Sequence, residues 1–124
     1  MKLIPYLIVV FSTFFAPIAT VMVAILVLML IDFIVGVIAS RRRGEKFSSK
    51  RLGDSFIKLL LYLIGIIAAH LTTLYFIPIP FVNIVAGLIG ATEIVSIFEN
   101  ISNVTGTNFI KYIKDAIVKY KRKQ

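Results

Sequence analysis

The chain contains no cysteine, and that absence removes disulfides, thiolate metal sites, cysteine nucleophiles and cysteine-linked lipid anchors together. It contains one histidine, His70, and no second His or suitably spaced carboxylate to make a metal site with it. Catalytic signatures are missing as well. There is no GxSxG, no Gly-rich phosphate loop and no paired carboxylates with a neighbouring base, so neither an enzyme nor a cofactor is expected. Charge is also scarce. Only 16% of the 124 residues are charged while 59% are hydrophobic, and the mean hydropathy is +0.96. A soluble domain of that composition would have too little polar surface to cover its apolar side chains, so the chain reads as a membrane protein.

What is present is a succession of apolar segments. Residues 3–15 reach about 20 Å at about 1.5 Å per residue, short of a bilayer core of roughly 30 Å, and the Ala16-Pro17 step is expected to end that segment. Residues 18–40 and 56–77 are each long enough to cross. The "IPIP" stretch at residues 77–80 closes the third segment in a tight hairpin, because each proline removes a donor and disfavours helix in the residue before it. Residues 81–101 form a fourth segment, and "NVTGTN" then breaks the chain. A last helix from about residue 107 to 120 places Phe109, Ile110, Ile113, Ala116, Ile117 and Tyr120 on one face, with Lys111, Lys114, Asp115 and Lys119 opposite, a pattern suited to the membrane surface. The N-terminus has the look of a secretory signal. Pro17 follows the only plausible cleavage residue, Ala16, and apolar sequence resumes at once, so the segment is read as retained. The expected fold is an all-α integral membrane protein with three to four transmembrane helices and a C-terminal amphipathic basic helix. Residues 1–104 form the membrane domain and residues 105–124 the tail.

The net charge of +8 is concentrated rather than spread. Arg41, Arg42, Arg43, Lys46, Lys50 and Arg51 fall in the loop at residues 41–55, and Lys111, Lys114, Lys119, Lys121, Arg122 and Lys123 fall in the tail. Beside apolar spans such clusters read as topology signals and contacts for anionic lipid headgroups, and no nucleic-acid partner is expected. Loop and tail are expected on the cytoplasmic side of a bacterial inner membrane, with two crossings between them. The N-terminus is then cytoplasmic if residues 3–15 span and external or interfacial if they do not.

Polar residues inside the spans are the functional candidates. Asp32 sits within "DFIVGV", and an ionised carboxylate at the centre of a lone transmembrane helix costs about 2.5 to 3.5 kcal/mol on insertion scales. Gly36, one turn further along the same face, allows another helix to approach closely. The pair therefore calls for a partner helix, in the same chain or in a second copy. In the fourth segment Asn83, Gly87, Gly90, Glu93, Ser96, Asn100 and Asn103 recur every three or four residues as one stripe of small and polar groups. In lipid that stripe has to face a helix or water. His70, in the outer half of its span, is read as a helix-to-helix hydrogen-bonding group.

Taken in order, these motifs resemble the phage holin family that also includes the toxin-release holins of clostridia, over roughly residues 25–121. The resemblance lies in Asp32-Phe33 with Gly36, in Phe47-Ser48-Ser49-Lys50 of the basic loop, in Ala69-His70-Leu71, in Asn83, and in "TEIVSIFEN" at residues 92–100, whose "EIVSIFEN" block is the most specific piece. Val35 stands where the family often has threonine, Thr72 and Thr73 stand where an aspartate is common, and "GTNFI" lacks the proline-rich approach to the tail. The resemblance implies a small inner-membrane protein that self-associates and opens lesions, releasing a cell-wall hydrolase or a toxin. A co-encoded endolysin, an antiholin or a secretion component would be its partners beyond itself and anionic lipids. The alternative is a non-lytic membrane anchor or scaffold subunit of a secretion or phage-derived assembly.

Overall fold

The computed structural model describes residues 2–124 as four α-helices: α1 (Leu3–Arg42), α2 (Ser49–Tyr75), α3 (Phe81–Thr105) and α4 (Phe109–Lys123). The first three are long and apolar enough to cross a membrane. They run alternately up and down, with α1 packed most extensively on α3 and α2 closing against both.

The expected break at Ala16-Pro17 does not occur. Residues 3–15 and 18–40 belong to one uninterrupted helix of 40 residues with Pro17 inside it. A proline in a helix deprives one carbonyl of its donor, whereas ending the helix in an apolar surrounding would strand several backbone groups at once. Continuity therefore leaves fewer backbone groups unsatisfied. The consequence for topology is three spans rather than four, which puts the N-terminus at the end of the bundle opposite the basic loop and α4. At about 1.5 Å per residue α1 is about 60 Å long, roughly twice the hydrocarbon core. Its residues from Leu3 to Phe11 are exposed.

The connections follow their local chemistry. Only residues 43–48 of the basic loop are outside helix, and Ser48 caps α2 by accepting from the Arg51 N–H. At the other end, the Thr73 hydroxyl donates to the Ile79 carbonyl at 2.6 Å and accepts from the Phe81 N–H at 3.3 Å, which pins the proline hairpin to the end of α2. α3 ends at Gly106, whose φ of +71° is the left-handed conformation that glycine adopts without strain. Asn108 then caps α4 by accepting from the Lys111 N–H at 3.0 Å. The core is a narrow column of Ile18, Ile25 and Met29 from α1, Ile66 from α2 and Ile89 from α3. No residue of α4 is buried.

Candidate functional site: a polar seam inside the three-helix bundle

Below the apolar column, towards the basic loop, the three spans bring ionisable groups together. Glu93 of α3 is fully buried. Its Oε1 accepts from Tyr62 of α2 at 2.8 Å and is ion-paired with Lys58 Nζ at 2.7 Å. Lys58 also lies 5.6 Å from the centroid of the Tyr62 ring, a cation–π distance. One turn further along α3, the Ser96 hydroxyl donates to Asp32 Oδ1 of α1 at 2.8 Å. The partner helix that Asp32 requires is thus α3 of the same chain.

The seam continues into the basic loop. Gly36 is buried, and a Cβ added there would stand 2.5 Å from Arg51 Nη2 and 3.6 Å from Asn100 Nδ2. The missing side chain makes room for an arginine rather than for a helix backbone. Arg51 Nη1 donates to the buried Ser40 hydroxyl, and Arg42 Nη2 donates to the Val104 carbonyl at 3.3 Å, tying the end of α1 to the end of α3. Arg43 and Glu45 pair at 3.0 Å in the exposed loop. That hydrogen bond draws the Glu45 carboxyl below the usual range and raises the Arg43 guanidinium.

The structure divides the sequence candidates. Asp32, Gly36, Glu93, Ser96 and Asn100 converge on the seam. His70 does not join them: it lies at the opposite end of the bundle, where its Nε2–H donates to the Phe14 carbonyl at 3.0 Å and its ring sits 4.8 Å from the Phe14 ring. That carbonyl neighbours Thr13, whose own carbonyl loses its helical donor to Pro17. Asn83 and Gly87 are exposed on the outer side of α3, and a Cβ added at Gly87 or Gly90 meets only open space. The single stripe expected on α3 is therefore two faces, one turned inward from Glu93 onward and one turned outward near its start. Arg41, Arg42, Arg43, Lys46 and Lys50 are exposed around the loop. Lys111, Lys114, Lys119, Lys121, Arg122 and Lys123 are exposed on α4.

Sequence reasoning missed Lys58, Tyr62 and Ser40. A signal for the first was available, because Lys2 and Lys58 are the only basic residues outside the two clusters. Lys58 alone lies within a span, facing two spans that each carry a carboxylate. Among the described residues no group of His, Asp and Glu is placed to hold a metal ion.

Three antiparallel spans with a buried charged seam, a basic loop and a basic amphipathic helix define a small, polytopic, all-α integral membrane protein. The chain belongs to the bacteriophage holin family, whose sequence model matches residues 9–122. No curated protein and no solved structure matches it. Holins are a non-enzymatic class of membrane protein.

Proposed function

We propose that this protein is a lesion-forming holin of the bacterial cytoplasmic membrane. It accumulates as closed three-helix protomers, associates with further copies, and on rearrangement releases a cell-wall hydrolase or a toxin. Its basic loop and α4 face the cytoplasm and engage anionic lipid. The observation that carries this reading is the seam of Asp32, Lys58 and Glu93 closed inside one protomer. Each such group costs about 2.5 to 3.5 kcal/mol in the middle of a bilayer unless it is hidden or wet. While α1 and α3 remain together the groups are hidden. Separating them creates a hydrophilic surface that only water or a similar surface can satisfy, and that is the lining a lesion needs. Asn83, Gly87 and Gly90, on the open side of α3, supply the close approach for neighbouring copies.

The test is induced expression in a bacterium with membrane potential and escape of a cytoplasmic hydrolase followed over time. Abrupt depolarisation with hydrolase release supports the proposal. High expression without leakage points to the second reading, a non-lytic anchor or scaffold.

A further inference from the structure

Glu93 Oε2 is buried and has no donor among the described residues, although Oε1 of the same carboxylate takes both Lys58 and Tyr62. Ser96, whose hydroxyl holds Asp32 Oδ1 at 2.8 Å, lies one turn from Glu93 on the same inward face of α3, so the Asp32 and Glu93 carboxyls are neighbours in the seam. Two ionised carboxylates are both acceptors, so that approach is repulsive unless one of them carries a proton. The charges in the seam lead to the same place. Asp32 comes from α1, Lys58 and Tyr62 from α2, and Glu93 and Ser96 from α3. Lys58 is the one cation among them, and Tyr62 and Ser96 act as neutral donors. Arg51, the next cation along the seam, is engaged one turn away with Ser40 beside Gly36. With both carboxylates ionised, Asp32, Lys58 and Glu93 would together carry one net negative charge within the span, a costly arrangement in a low-dielectric surrounding.

We propose that Asp32 and Glu93 form a proton-binding site that holds a single proton, carried on Asp32 Oδ2 and donated to Glu93 Oε2. The assignment gives each oxygen of the two carboxyl groups a partner. Asp32 Oδ1, the carbonyl oxygen of the protonated acid, accepts from Ser96. Oδ2–H supplies the missing donor to Glu93, and Lys58 balances the one remaining negative charge. The proton thereby joins α1 to α3 and leaves Asp32, Lys58 and Glu93 together neutral, as one proton is shared in other closely held carboxyl pairs. The inference does not rest on lytic activity, and its readout is independent of it.

The test is infrared spectroscopy of the full-length protein in lipid vesicles at neutral pH, with aspartate or glutamate carrying a 13C label in the side-chain carboxyl. The expected result is the C=O band of an un-ionised carboxylic acid that moves down in D2O and moves again with labelled aspartate but not with labelled glutamate. The other aspartates, Asp54 and Asp115, are exposed and belong to the water-facing parts of α2 and α4. Ser96→Ala is expected to move the band up, because the C=O loses its donor, and Asp32→Asn to abolish it while the helical content is kept. Absence of the band from the unmutated protein overturns the assignment and makes a bound water the donor to Glu93. A band that follows labelled glutamate alone overturns it too. Both of these outcomes are read from the unmutated chain, so neither depends on a variant folding.

Discussion

Lys58 Nζ of α2 lies 2.7 Å from Oε1 of Glu93, a side chain of α3 with none of its surface exposed. The pair is asymmetric, because Lys58 is 40% exposed and its long stem can carry the ammonium towards the headgroups, whereas Glu93 has no such escape. Lys58→Met is therefore expected to destabilise the bundle by about 3 kcal/mol, the low end of the range for stranding one member of a buried ion pair. Adding Glu93→Gln removes the stranded charge and is expected to restore much of the loss. Thermal unfolding in detergent, followed by helical circular dichroism over the double-mutant cycle, measures the coupling.

Gly36 and Gly87 are expected to respond in opposite ways to the same substitution. Leucine at Gly36 displaces Arg51 from its place beside Ser40, and such overpacking costs about 1 to 3 kcal/mol of protomer stability. Leucine at Gly87 meets open space and replaces a poor helix former with a good one, so the protomer is expected to hold or gain stability. If the outer side of α3 joins copies, Gly87→Leu instead depletes crosslinked oligomers in membranes. Unfolding midpoints and crosslinking ladders for the two variants separate packing within the chain from association between chains.

His70→Leu is expected to loosen the far end of the bundle by about 0.6 kcal/mol, the average for a hydrogen bond between membrane helices. Amide hydrogen exchange around Phe14 and Pro17 is the appropriate measurement, because global stability moves little.

Ile66→Ala should cost about 2 kcal/mol, at the bottom of the usual range for emptying a core position. Lipid rather than water is the alternative surrounding, so most of the transfer term disappears and the loss of packing remains. Unfolding in detergent against the wild type gives the value.

α4 presents an apolar face that is half-buried against α3 at Phe109, Ile110 and Ile113 and exposed at Ile117 and Tyr120, beside six basic residues. A peptide of residues 107–124 is expected to bind vesicles containing anionic lipid and to release with added salt. Replacing Lys121, Arg122 and Lys123 with glutamine weakens binding on the order of a hundredfold, at about 1 kcal/mol for each charge near the surface. Vesicle sedimentation reads the change in partitioning directly.

Much of this architecture is legible along the chain, for reasons that particular residues make plain. The "IPIP" hairpin and the C-terminal amphipathic helix follow from local rules, since proline cannot donate and a 3.6-residue period either sorts its side chains or does not. Pro17 shows where such rules stop. Locally it is a helix breaker, but an apolar surrounding penalises a broken backbone more than a missing hydrogen bond, and α1 runs through it.

The sequence by itself determined that the chain enters lipid, where its basic ends gather, and that Asp32 and Glu93 need partners, because those conclusions depend only on what each segment is made of. Tertiary structure alone decided who the partners are. The rotation of α3 turns Glu93 and Ser96 inward to Lys58, Tyr62 and Asp32 while leaving Asn83 and Gly87 outside. No periodicity could have assigned those two faces, since a helical repeat fixes which residues lie together on one helix but not the direction in which that helix is turned.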